Sequence, residues 1–230
     1  LMNEASAIVI DTKKRSIVGS IPTAPQPHVI HLSPDGQRVY IGALTGDQVT
    51  IADTKTLGVV RRIEFDNGVR PFVITPDEKK LYVQLSKLHG FVEFNLEMNR
   101  ITKIIPLPNP KNVSHQKSYP HTAHHGMLLT ADHQYLCAVA TVEGYVGILS
   151  VPELELLATV PTGKEPSWII SSLDGKYCYV SARKSNDVFV ISLEKRKAVK
   201  RIPVGDYPQR MWTTRVPERR VSRSGSVPER

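Results

Sequence analysis

Helical spacing is sustained nowhere in this chain, hydrophobic runs stay short, and cysteine and tryptophan number only two each in 230 residues. Each scarcity removes a class of protein. No apolar stretch approaches the roughly 20 residues that a membrane-crossing helix requires, so membrane insertion is not expected. Two cysteines are too few to staple a scaffold that depends on disulfides. Residues 5–10 are too brief for the apolar core of a secretion signal, and no signal peptide is expected in the chain. Net charge is +8, but residues 215–230 hold five arginines against two glutamates, which leaves +5 on the remainder. Those arginines lack interleaved aromatics that stack on bases, and no basic stripe runs elsewhere, so nucleic acid is not an expected partner. With little apolar content and no alternation, residues 215–230 read as a disordered basic tail after a folded domain of residues 1–214.

What the chain does have is a repeat. Asp35, Asp77, Asp132 and Asp174 are separated by 42, 55 and 42 residues, and Tyr40, Tyr82, Cys137 and Tyr179 keep the same steps. Ile21, Ile63, Ile105, Val160 and Ile202 form a third column in register. A recurring period of this kind fixes architecture before any motif is considered. Each unit reads as four short runs rich in β-branched and aromatic residues, punctuated by Pro, Asp, Asn or Gly. Proline follows or ends the last run at Pro22, Pro106, Pro161 and Pro203, where a missing donor stops the ladder. Four strands about every 42 residues is the spacing of a β-propeller blade. The expected fold is therefore all-β, a propeller of four-stranded antiparallel blades.

The segment Ser33-Pro34-Asp35-Gly36-Gln37-Arg38-Val39-Tyr40-Ile41, followed by Val49-Thr50-Ile51-Ala52-Asp53-Thr54 and later Gly163-Lys164-Glu165-Pro166, resembles the YVTN-type β-propeller repeat of bacterial and archaeal surface or periplasmic proteins. The likeness spans about residues 5–214 and implies a periplasmic or cell-surface location. WD repeats fit less well, because no unit closes its third strand with Trp-Asp. By strand count the chain opens with the last two strands of a blade (residues 7–11 and 16–21), continues through four whole blades, and closes with one first strand, residues 209–214. The resemblance implies seven blades, so this count reads as part of a larger ring. A five-bladed ring closed by pairing the terminal strand with the opening pair is the alternative. Cys137 and Cys178 lie in equivalent strands of adjacent blades, offset by one residue, so their side chains are expected on opposite faces as two buried free thiols. Trp168 and Trp212 share nearly one repeat position and read as core.

Ligands in propellers sit where first strands meet at the hub. Seven residues before each aspartate of the repeat stand His28, Arg70, His125, Ser167 and, by extension, Gln209, with His124 and Arg210 beside them. The next positions turn apolar, as expected of polar side chains gathered around a wet mouth. The extra 13 residues of the long step fall in the loop before His124, where four of the eight histidines, His115, His121, His124 and His125, cluster. His121, His124 and His125 are candidate ligands for a transition metal, since neutral imidazole suits zinc, copper or iron. His125-Gly126 is also similar to the strand start in haem-binding propellers of dissimilatory nitrite reductases. That likeness implies a channel histidine at His125 and carboxylate partners at Arg70 and Arg210, although no axial ligand can be named. Propeller lactonases use rim histidines, arginines and acids, but no repeat column supplies an acid, and Glu143 and Glu165 lie in other loops.

The reading these residues favour is a non-enzymatic binding scaffold without a cofactor. Its cationic mouth of His28, Arg70, His124, His125 and Arg210 would receive an anionic small molecule or partner protein. The alternative is a propeller carrying haem or a metal. The aspartate column reads as turn chemistry, an Asp side chain bonding its own backbone.

Overall fold

A computed structural model describes residues 1–110, 112 and 122–215. Its strands form one two-stranded and four four-stranded antiparallel sheets. The pair β1 (Ser6–Asp11) and β2 (Ser16–Pro22) opens the chain. Blade I comprises β3 (Pro27–Leu32), β4 (Arg38–Ala43), β5 (Gln48–Asp53) and β6 (Val59–Glu64). Blade II comprises β7 (Val69–Ile74), β8 (Lys80–Leu85), β9 (Gly90–Asn95) and β10 (Arg100–Pro106). Blade III holds β11 (His124–Leu129), β12 (Tyr135–Ala140), β13 (Tyr145–Ser150) and β14 (Leu156–Pro161). Blade IV holds β15 (Pro166–Ser171), β16 (Tyr177–Ala182), β17 (Asp187–Ser192) and β18 (Lys197–Pro203). In every blade the strands lie side by side in chain order. Among the described residues no helix is long and apolar enough to cross a membrane.

The aspartate column is built into the turn between first and second strands. Ser33, Thr75, Thr130 and Ser172 each donate a hydroxyl hydrogen to the aspartate two residues on, at 2.5–2.6 Å. Each carboxylate also accepts a backbone N–H two residues ahead, from Gln37, Lys79, Gln134 and Lys176. These bonds hold the four carboxyls below their usual range, the hydroxyl contributing most. The residue after each aspartate, Gly36, Glu78, His133 or Gly175, takes positive φ.

The core lies between blades. Val29, Tyr40, Ile51, Phe72, Leu81 and Val83 join blades I and II. Val73, Tyr82, Phe91, Met127 and Leu136 join blades II and III. The opening pair covers part of blade I's other face through Ala7 and Ile21 against Val39, Ile41 and Ala52. Tyr40 and Tyr82 are therefore buried, each under the next blade, whereas Tyr179 at the same repeat position on blade IV is only half-buried.

Residues 209–214 form no strand. The opening pair stays two-stranded, so the terminal segment does not complete its sheet. Instead the segment is tied across the gap: the Ser181 hydroxyl donates to the Gln209 carbonyl at 2.7 Å, the Thr213 hydroxyl to the Ser171 carbonyl at 3.1 Å, and Arg210 to the His28 carbonyl at 3.0 Å. Residues 216–230, most of the proposed tail, lie outside the described residues.

The one-residue cysteine offset has the opposite consequence from isolation. Side chains on opposite faces of two stacked sheets point toward each other, and Cys137 and Cys178 meet in the core between blades III and IV with Sγ atoms 3.8 Å apart. Both are free thiols, and the hydrogen-bonded Cys178 sulfur, then burial, raises the Cys137 pKa. Neither thiol is expected to react with Ellman's reagent in the folded protein, and both should react in denaturant; a fast native reaction would contradict this packing.

Candidate functional site

Bulges aim the hub side chains. In blade I the pairing of β3 with β4 slips between Pro27 and Val29, leaving His28 out of register. The equivalent slips leave out Arg70 in blade II, His125 in blade III and Ser167 in blade IV. An unpaired bulge residue turns its side chain out of the pleat, and this repeat column is the one that points inward. At His125 the following Gly126 has φ +118°, and a Cβ there would stand 3.0 Å from the Ser167 carbonyl oxygen. Gln84 from blade II clamps Gly126 at both its main-chain polar groups, its amide donating to the Gly126 carbonyl at 3.0 Å while its own oxygen accepts the Gly126 N–H at 3.1 Å.

The bulges bring four distant residues together. His28 Nε2 and His125 Nε2 lie 2.9 Å apart, and His125 Nδ1 is 2.8 Å from the Ser167 carbonyl. A carbonyl only accepts, so Nδ1 of His125 carries the proton and its Nε2 offers a lone pair to Nε2–H of His28. This arrangement places the His28 lone pair on Nδ1, which makes no hydrogen bond among the described residues. Arg210 donates to the His28 carbonyl and stacks over Trp168, 5.0 Å from the ring centroid. Arg70 is buried, its Nε donating to the Ser86 hydroxyl at 2.9 Å, and Ser86 in turn donates to the Gly68 carbonyl. Gln209 contributes its backbone carbonyl, bonded to Ser181, from an exposed position.

The expected wet mouth is drier than its composition suggests. Arg70, His125 and Ser167 are all buried, at most 7% exposed. Burial, then Arg210 and Arg70, lowers the His28 pKa to about 4. Burial lowers that of His125 to about 3 against the pull of the Ser167 carbonyl, with His28, Arg70 and Arg183 adding to the depression. Both rings are neutral at pH 7, so the positive charge here belongs to arginines. Arg183 is one that sequence reasoning missed. It lies in a single 3-10 turn (Arg183–Ser185) after β16, is 2% exposed, and pairs with Glu165 at 3.5 Å. Glu165 also pairs with Lys184, so its charge is engaged by cations.

His124 does not join the cluster. As the neighbour of His125 on a strand it faces away, fully buried with its ring against His89 and Tyr145. Its ring nitrogens make no hydrogen bond of good geometry among the described residues, and burial holds its pKa at about 3. His124 and His125 thus cannot chelate one ion together, and His121, like His115, lies outside the described residues. Among the described residues no three His, Cys, Asp or Glu side chains converge as metal ligands. In the haem reading His125 is a channel histidine and not an axial ligand, and here its ring nitrogens meet His28 and the Ser167 carbonyl. Trp168 and Trp212 are not core: Trp168 is half-buried and borders the hub, and Trp212 is 86% exposed.

Residues 3–199 match the family pattern of the lactonase, seven-bladed β-propeller, in keeping with the repeat and the blades. The chain belongs to this lactonase propeller family. Among curated proteins none matches it. Among solved structures it is similar to a functionally unknown protein from Desulfotomaculum acetoxidans DSM 771, with a TM-score of 0.73 and 14% identity over 90% of this chain. The chain spans 66% of that protein's length, and at this identity the likeness establishes fold alone. The sequence motifs pointed to the YVTN-type repeat, whereas the family match is to lactonase propellers.

Two consequences are measurable. Gln84→Ala leaves both main-chain polar groups of the buried Gly126 without their partner and should cost about 2 kcal/mol, read as a lower urea midpoint. The depressed histidines give a pH signature. His28, His31, His124 and His125 have folded pKa values of about 4, 4, 3 and 3, against 6.5 unfolded. The unfolded chain then binds more protons below pH 6.5, so stability should be full above that pH and decline as pH falls from 6.5 toward 4. Urea midpoints at pH 7 and pH 5 check this, and His125→Phe, where it folds, should flatten the slope.

Proposed function

We propose that the lactonase-type hub of this chain is an anion-binding site in which Arg70 and Arg210 hold a carboxylate or phosphate beside the neutral His28–His125 pair. The observation that carries this reading is the convergence of the bulge residues His28, Arg70 and His125 with Arg210 from the terminal segment, with the 2.9 Å histidine contact at its centre. Arg70 is buried, so a charge-assisted contact to it is stronger than one in water, while the exposed Arg210 offers a guanidinium whose geometry suits two-oxygen acceptors. Neutral imidazoles beside the cations leave the binding independent of pH near neutrality.

A second reading, hydrolysis of a lactone, is favoured by the family and by the open Nδ1 of His28. In such a reaction Nδ1 takes a proton from water as the water oxygen bonds to the lactone carbonyl carbon. The arginines stabilise the resulting oxyanion, and its collapse breaks the ring C–O bond and returns the proton to the alkoxide. The low basicity of His28 limits how much of the barrier this step removes.

Isothermal titration with citrate at low salt tests the binding reading. Arg210→Ala should weaken citrate about tenfold, the scale of one charge-assisted contact, and equal affinity in the variant would refute the site. Lactone hydrolysis is followed by pH-stat on a carboxylate-bearing δ-lactone. His28→Gln should lower that rate by roughly 10²-fold or more; no turnover alongside normal citrate binding leaves the scaffold reading alone.

A further inference from the structure

The hub has a second end of different chemistry. A cavity of about 560 Å³ lies at the turn side of the first strands, away from the histidine and arginine cluster, within the size range of small-molecule sites. Its wall is one repeat column, one residue from each unit: His31, Val73, Leu128, Ile170 and Trp212. The next column adds Leu32, Ile74 and Leu129, and the Trp168 ring separates this space from the His125 and Arg210 side chains. Leu32 is 62% exposed and Trp212 86%, so large apolar area is left uncovered beside this space.

The polar groups around it are few and mostly committed. The Thr130 hydroxyl is bonded to Asp132 and that of Thr213 to the Ser171 carbonyl. His133 stands exposed in the turn at the edge. His31 is the exception. Its ring packs edge-on against Phe72, with centroids 5.0 Å apart, and its nitrogens make no hydrogen bond among the described residues. Burial holds its pKa at about 4, so at neutral pH it offers one donor and one acceptor to an otherwise apolar space. The ring is only partly buried and its nitrogens reach solvent, so a ligand hydroxyl or carbonyl would replace water there within an otherwise apolar space.

We infer that this cavity is a second binding site, distinct from the anion site, which takes an uncharged and largely apolar ring compound whose single hydroxyl or carbonyl meets His31. The ring packs between Trp168, Trp212 and the aliphatic column, and a charged head group is disfavoured because no counter-charge faces the apolar wall.

Trp168 and Trp212 are the only tryptophans in the sequence and both line the cavity, so intrinsic fluorescence reads this site. The probes are two neutral nitroaromatic quenchers that differ by one hydroxyl, para-nitrobenzyl alcohol and para-nitrotoluene. Saturable quenching is expected, with the alcohol binding about tenfold tighter, the scale of one hydrogen bond in an apolar site. His31→Phe should remove the preference for the alcohol and His31→Gln should restore it. Ile74→Phe, bulkier at a partly exposed wall position, should weaken both probes. Non-saturable quenching, equal affinity of the two probes for the unmodified chain, or a preference that survives His31→Phe in a variant with native circular dichroism would each overturn the inference. Saturating citrate leaves the titration unchanged, which keeps this site's outcome separate from that of the anion site.

Discussion

Blade-on-blade burial is the constraint from which the rest of this structure follows. A four-stranded sheet of this size has two faces and no interior, so its apolar side chains leave water only under the next sheet. Phe72, Leu81 and Val83 of blade II do so against Val29, Tyr40 and Ile51 of blade I, and the same geometry recurs at each later boundary. Stacking of this kind brings first strands together at a hub and sends last strands outward, where β18 is exposed along its whole length. Where the stacking ends, the apolar face stays open. Tyr179, Ile170 and Trp212 on one side and Ile30 and Leu32 on the other show what a face without a next sheet leaves uncovered.

The hub inherits its chemistry from a defect in each ladder. A bulge at His28, Arg70, His125 and Ser167 releases those side chains from the pleat, while the residues that follow return to it and pack. One axis therefore carries a charged, hydrogen-bonded cluster at the blade-entry end and an apolar cavity at the turn end, with Trp168 between. Neighbouring charge and low hydration act in one direction on the histidines: both favour the neutral ring, so Arg70, Arg183 and Arg210 keep the charge. This division lets a cluster rich in histidine respond little to pH near neutrality.

Much of this was legible in the sequence because repetition multiplies weak signals. A single Ser-Pro-Asp-Gly is a turn, but four aspartates in register also fix the strand that enters and the strand that leaves. The inward column was found in the same way, since His28, Arg70 and His125 hold one repeat position and only the hub lies near every copy. Other features escaped for physical reasons. The cysteine offset put the two side chains on opposite sheet faces of adjacent blades, but that those faces meet is decided by the stacking. Arg183 sits outside the hub column, so nothing in its spacing distinguishes it from a solvated arginine. His124 and His125 read as one ligand pair until the strand pleat and the bulge turned them apart.

By itself the sequence determined the blade, because period, alternation and turn residues are local properties that each unit satisfies alone. It also determined which residues come near the axis, since that follows from their phase in the repeat. Tertiary structure alone decided what those residues do on arrival: which histidine nitrogen meets which, whether a tryptophan is covered or faces a cavity, and how dry the arginines are. These depend on contacts between units far apart in the chain, and no periodicity within a unit encodes the distance between two of them.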